Sequence, residues 1–276
     1  MPTVHVGEVD LYYEIHGEGS PLLMINGLGA SVETWSPFWK RLAEHFRVVL
    51  FDNRGVGRST LPKSSFTIRT MADDAAGLLE AIRVPSVFVY GASMGGQIAQ
   101  ELALSHPEKV RALVLGMTTC GGPPAILPPP EVMQRLATLA NPSAGSSPLE
   151  VLWSVSYTPE FLAAHRAELV REAAAVRYPP TPQGYRLQAE ASMKFNSYDR
   201  LPKIQVPTLV MAGSRDLLMP PGNARLIASR IPGAQLHIFE GAGHGFTRER
   251  PEESVKLISD FLSGVESSRP LPSPGT

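Results

Sequence analysis

The chain has 276 residues, 43% of them hydrophobic, enough for a large buried core, and its formal net charge is −1. That balance, with no block of like charges, argues against nucleic acid and anionic membrane as partners. Cys120 is the single cysteine, which rules out an internal disulfide and a cysteine-built metal site.

The opening stretch, MPTVHVGEVDLYYEIHG, has neither a basic leader nor a continuous apolar run, and nothing later approaches the roughly 18 apolar residues of a membrane span. A soluble, cytoplasmic protein is expected. Residues 4–6 and 11–15 alternate apolar and polar around GEVD, predicting an antiparallel hairpin at a sheet edge. After it the pattern changes. PLLMING, RVVLFD, SVFVYG, VRALVLG, PTLVMAG and AQLHIFE are short apolar runs bounded by turn residues, as expected of strands buried on both faces of a mostly parallel sheet. Helical spacing fills most intervals, over 35–46, 70–82, 94–105, 222–231 and 252–262. Strand and helix in alternation predict a doubly wound α/β fold whose function gathers at the carboxyl edge of the sheet.

One interval breaks the alternation. Residues 121–203 contain a proline-rich entry, GGPPAILPPP, and helical pieces over 132–139, 149–155, 160–176 and 182–195. They are expected to form an inserted helical cap, or lid, over a core made of 1–120 and 204–265. Residues 266–276, small and rich in proline, are expected to be a flexible tail.

The segment Gly91-Ala92-Ser93-Met94-Gly95 matches G-x-S-x-G, with a predicted strand before it and a helix after it. So sharp a turn demands small flanking residues and lifts the serine hydroxyl above the sheet edge. A serine in that place also suits a plain helix N-cap. The functional reading requires a base to activate the hydroxyl and a carboxylate to orient the base.

Seven histidines compete. His5 and His237 lie in strand patterns, His16 ends the first hairpin, His45 and His165 fall on helices, and His106 precedes Pro107 at a helix end. His244, in FEGAGHGF directly after the last strand, has the glycine-rich loop needed to bring an imidazole over the sheet edge. Asp216 follows PTLVMAGSR after the penultimate strand and is the candidate acid. Asp52 is its rival, but it precedes the serine, and the glycines and Arg54 around it predict a turn held by local bonds and an ion pair. Asp199, on the return from the cap, and Asp260, on the last helix, fit less well. For an oxyanion, the backbone N–H groups of Leu28, in the glycine-rich loop after PLLMI, and of Met94 are the expected donors.

NGLG, DNRGVGRS, GASMGG, GSRD and GAGHGF, in that order over about residues 10–265, resemble the serine α/β-hydrolases. The likeness is to the capped group that contains 3-oxoadipate enol-lactonases, related esterases and cofactor-free perhydrolases. It implies the α/β-hydrolase fold, a mostly parallel central sheet flanked by helices with an inserted helical cap. It also implies Ser93 as nucleophile, His244 as base, Asp216 as acid, Leu28 and Met94 as oxyanion donors, and no metal or organic cofactor. Asn26 stands where many members carry histidine, and Ser93 sets the chain apart from the dehalogenase and epoxide-hydrolase branches, which use aspartate there. The implied reaction is hydrolysis of a small-molecule carboxylic ester or lactone through an acyl-enzyme, with His244 as the base.

The alternatives are a carbon–carbon bond hydrolase or perhydrolase on the same triad, and, from another class, a non-catalytic small-molecule receptor. Trp153, Tyr157 and Met193, with Met219 near the sheet edge, are candidates for the substrate pocket; Phe161, Phe195 and Leu28 are further ones. Arg135, Arg166, Arg171, Arg177 and Arg186 of the cap sit in helical patterns that predict solvated faces, which favours a neutral acyl group. Oligomeric state is not encoded in any pattern found.

Overall fold

The computed structural model describes residues 2–35, 37–138 and 147–268. Its strands are β1 (Thr3–Val6), β2 (Val9–His16), β3 (Pro21–Ile25), β4 (Arg47–Phe51), β5 (Val87–Ala92), β6 (Val110–Gly116), β7 (Thr208–Gly213) and β8 (Gln235–Phe239). They form one sheet in the order β1-β2-β4-β3-β5-β6-β7-β8. The β1–β2 and β2–β4 pairs are antiparallel and the rest parallel, so the expected edge hairpin and parallel sheet are both present.

Period-two alternation sends successive side chains of the central strands to opposite faces, and both faces are apolar. Leu23, Ile25, Val49, Phe51, Val87 and Val89 pack in one buried cluster with α2 (Ile68–Ala81), α3 (Met94–Ser105) and α8 (Gly222–Arg230). Leu22, Met24, Val48, Leu50, Phe88 and Tyr90 pack in a second with α1 (Phe38–Leu42) and α10 (Pro251–Ser267). The sheet is therefore the middle of three layers, and its helices occupy both faces as predicted.

Some bounds differ from expectation. The helix expected over 35–46 is only α1, because Trp35 is extended (ψ 134°) and Pro37 sets the start. β8 is not buried on both faces; as the edge strand it leaves Gln235 and Leu236 exposed. A short helix, α9 (Phe246–Glu249), precedes α10 and went unpredicted.

Between β6 and β7 the chain makes a helical excursion: α4 (Pro130–Ala137), α5 (Pro148–Ser156), α6 (Pro159–Ala175) and α7 (Pro182–Met193). Leu139, the predicted end of the first of these, and residues 269–276 of the expected tail lie outside the described residues. The excursion leaves and re-enters at one point, where Gly121 bridges Asn196 and the Ser197 N–H donates to the Cys120 carbonyl at 2.8 Å. Each of the four helices has proline in its first turn, where the missing N–H costs nothing. Thr158 and Thr181 cap α6 and α7 by accepting from the Phe161 and Gly184 N–H groups. Among the described residues no helix is long and apolar enough to cross a membrane.

Candidate active site

Ser93 occupies the one-residue junction between β5 and α3 at φ 56°, ψ −120°, a region sparsely populated by residues with a Cβ. Its neighbours hold it there. The Ser93 N–H donates to the Gly116 carbonyl at 3.0 Å, and its own carbonyl accepts from the Gly96 N–H at 2.9 Å and Thr118 Oγ1 at 2.7 Å. Gly95 has no room for a side chain, since a Cβ there would overlap the Ile25 carbonyl at the end of β3. That close approach brings the turn against the loop after β3: a methyl placed on Gly27 would lie 3.3 Å from Ser93 Cβ and 3.8 Å from Oγ.

Planarity of the peptide bond then fixes two N–H vectors. The Met94 N–H shares a plane with the Ser93 carbonyl and points opposite to it, away from Gly96 and Thr118. The Leu28 N–H likewise shares a plane with the Gly27 carbonyl, which accepts from the Ala30 N–H at 3.2 Å. Among the described residues neither N–H donates to a protein acceptor. Asn26, 4% exposed, braces the loop by donating from Nδ2 to the Ser31 carbonyl at 2.7 Å, while its carbonyl accepts from Asn53 Nδ2 at 3.2 Å.

The structure brings His244 and Asp216 together. His244 Nδ1 lies 2.8 Å from Asp216 Oδ2, the carboxylate fully buried and the imidazole 12% exposed. The other carboxylate oxygen accepts the backbone N–H groups of Leu218 and Met219 at 2.9 and 2.8 Å, which orients it. Ser93 Oγ is not hydrogen-bonded to His244 among the described residues.

The rivals are engaged elsewhere. Asp52 accepts from the Val32 and Arg58 N–H groups and from Arg58 Nε, so it does hold a local turn. Its ion-pair partner is Arg58 rather than Arg54, whose guanidinium makes a buried two-point contact with Asp74. Five of the other histidines sit beside carboxylates, His5 with Asp10, His16 with Glu14, His106 with Asp73, His165 with Glu168 and His237 with Glu253, and His45 is exposed.

Three residues that carry the geometry escaped the sequence reading. Glu249, in α9, accepts the Gly243 N–H at 3.2 Å through Oε2 and the Thr158 N–H at 2.9 Å through Oε1. It thereby ties the loop of His244 to the start of α6. The Gly245 N–H adds a second tie, to the Ser156 carbonyl at 2.8 Å. Gln188, wholly buried in α7, accepts the Gly29 N–H through Oε1 and donates from Nε2 to the Arg54 carbonyl, both at 2.9 Å. Thr118 is the third. A buried glutamine within a helical pattern leaves a faint sequence signal; Glu249 and Thr118 leave none.

Of the expected pocket residues, Tyr157 packs against the loop of His244: its ring stacks on Phe161 at 5.1 Å and fills the space where a Cβ on Gly245 would stand. Burial pushes its phenol above the ordinary range, against the pull of Arg248. Trp153 and Met219 are half-buried. Met193 is 85% exposed at the end of α7, and a side chain so open offers a ligand no enclosed surface; Phe195 belongs to the core. Of the cap arginines, Arg166 pairs with Glu150, Arg177 with Glu33 and Arg186 with Glu190, Arg135 donates to Ser154, and Arg171 is exposed.

A family model described as alpha/beta hydrolase fold matches residues 20–251. The protein named "Putative carbamate hydrolase RutD" of Azorhizobium caulinodans is 33% identical over 269 residues, covering 96% of this chain and 100% of that one. A poly(3-hydroxyalkanoate) depolymerase of Ectopseudomonas oleovorans is 36% identical over 250 residues, covering 88% and 84%. Among solved structures, the enol-lactonase from Burkholderia xenovorans LB400 superposes with a TM-score of 0.83 at 28% identity, covering 95% of this chain and 100% of that one.

Proposed function

The chain belongs to the α/β-hydrolase family, and from that premise we propose that it is a serine hydrolase that cleaves carboxylic esters or lactones through an acyl-enzyme. The observation that carries the reading is the His244–Asp216 pair at 2.8 Å, with the acid's second oxygen held by two backbone amides. In the proposal His244 Nε2 takes the Ser93 proton as Oγ attacks the acyl carbon. The Leu28 and Met94 N–H groups hold the oxyanion, and the imidazolium protonates the departing alcohol. Water attacks the acyl-enzyme by the reverse sequence. Asp216 keeps the proton on Nδ1 and stabilises the charged ring. The mechanism requires no cofactor.

Residues 121–203 are the proposed lid, and Trp153, Tyr157 and Met219 the proposed apolar wall. The engaged or exposed cap arginines favour a neutral acyl group. The depolymerase and the enol-lactonase among the relatives support an oxygen ester or lactone. A carbamate, whose acyl carbon bears oxygen and nitrogen, is the second reading, favoured by 33% identity over 96% of the chain to the carbamate hydrolase.

The test is steady-state turnover on aryl esters of graded acyl length, aliphatic lactones and a carbamate, with Ser93→Ala as control. The reading expects turnover of an ester or lactone far above one per protein molecule, lost in the control. Preference for the carbamate would establish the second reading, and ligand binding without turnover would make the protein a receptor.

A further inference from the structure

The face of α7 turned to the core is made of Gly184, Leu187, Gln188 and Ala191, spaced i, i+3, i+4, i+7, and all four are buried. Three are apolar or small. Gln188 breaks the pattern at 0% exposure, and an amide buried without partners would carry a heavy desolvation penalty. Both of its ends are matched, and both partners are backbone groups of loops remote in sequence. Oε1 accepts the Gly29 N–H from the loop after β3, and Nε2 donates to the Arg54 carbonyl from the loop after β4. The Arg54 guanidinium is turned to Asp74 and Glu8 and leaves its carbonyl to the glutamine.

The position of Gly29 gives this pair of bonds a chemical consequence. The peptide plane carrying the Leu28 N–H is set on one side by the Gly27 carbonyl bonded to Ala30. The next plane, which carries the Gly29 N–H, is set by Gln188. With both planes held, φ and ψ of Leu28 have little freedom, so the direction of its N–H is fixed before a substrate arrives. The rest of α7 seats the same loop: the Tyr185 ring fills the space beside Gly29, where a Cβ would come within 2.8 Å of Cδ2, and Gly29 itself is left-handed at φ 69°. Gly184 packs on the Gly55 backbone.

We infer that Gln188 is a positioning residue that locks the Leu28 N–H in its oxyanion-binding direction, so that α7 of the excursion is part of the catalytic apparatus. The inference rests on the proposed acyl-transfer mechanism. An oxyanion donor is effective because it needs no reorganisation at the moment of reaction. Freeing Leu28 restores that reorganisation and is felt in the transition state more than in the bound substrate, so kcat falls while KM stays near its original value.

The experiment compares wild type, Gln188→Met and Gln188→Glu on p-nitrophenyl acetate from pH 5.5 to 9, with amide hydrogen exchange over residues 26–31. Methionine keeps the volume and removes both bonds. The expected result is a fall in kcat and kcat/KM of about 10- to 100-fold with KM within about twofold, and faster exchange at Gly29. In Gln188→Glu a protonated carboxyl both accepts and donates as the amide does, whereas a carboxylate faces the Arg54 carbonyl without a proton. Its kcat relative to wild type should therefore recover as pH falls. Wild-type kcat in Gln188→Met, or a flat ratio in Gln188→Glu, overturns the inference; should the methionine variant not fold, the glutamate ratio decides alone. Absence of turnover by wild type on every ester would overturn the ester reading, while the exchange at Gly29 would still report on the lock.

Discussion

Glu249 accepts the backbone N–H of Thr158 at 2.9 Å and that of Gly243 at 3.2 Å, so one buried carboxylate joins the cap of α6 to the residue before His244. Glu249→Ala would leave both buried donors without their acceptor. An unsatisfied buried donor costs about 1–3 kcal/mol, which for two donors predicts a loss of about 2–6 kcal/mol in urea unfolding and a parallel fall in hydrolytic activity. A loss below about 0.5 kcal/mol would show that the two loops hold together without it.

Asp216→Asn tests the other side of the imidazole. The amide keeps the shape and can still accept from Leu218 and Met219, but it no longer fixes the proton on Nδ1 or balances an imidazolium. Turnover should fall by about 10⁴-fold with little change in melting temperature. Retention of more than a tenth of wild-type kcat would remove Asp216 from the proposed triad, and Asp52, pinned by Val32 and Arg58, is not placed to replace it.

Gly95→Ala is expected to abolish soluble expression or cost several kcal/mol, on the order of 2–5. The new methyl would overlap the Ile25 carbonyl, and neither the backbone of β3 nor that of the Ser93 turn can give way without moving the proposed nucleophile. A soluble, active variant with an unchanged melting temperature would contradict the close approach.

Alkaline stability follows from the phenols. Burial, reinforced by the carboxylate of Glu14, pushes Tyr12 up to about 12, and burial raises Tyr90, Tyr157 and Tyr185 as well. Each folded-state value lies above the unfolded value near 10, so the folded chain binds more protons there. The stabilisation is complete below pH 10 and is lost as pH rises toward 12. Denaturant midpoints measured from pH 8 to 11.5 should be level and then decline, and Tyr12→Phe should flatten part of the decline. Midpoints rising above pH 10 would reverse the sign.

Where the sequence is informative, it is so because local chemistry has few solutions. The strands and the bounds of α3 follow from apolar runs ended by glycine, and a serine between a strand and a helix with Gly91, Gly95 and Gly96 around it points to a sharp turn. His244 and Asp216 were legible because each ends a strand segment in a loop, and their meeting at 2.8 Å needed the sheet order to be realised. What escaped depends on contacts between distant segments. Gln188 reaches Gly29 across 159 residues and Glu249 reaches Thr158 across 91, and no periodicity records such pairs. Met193 shows the same limit, because an apolar residue at a helix end does not reveal which way that end faces, and here the side chain is 85% exposed.

In the proposed mechanism Ser93 is made nucleophilic by His244 above the carboxyl edge of the sheet. Labelling with a fluorophosphonate, followed by peptide mass mapping, reads this directly. One phosphonyl group per chain on Ser93, formed at a rate that collapses in His244→Ala, is the predicted result. Modification elsewhere, or equal labelling of Ser93 in wild type and His244→Ala, would contradict it.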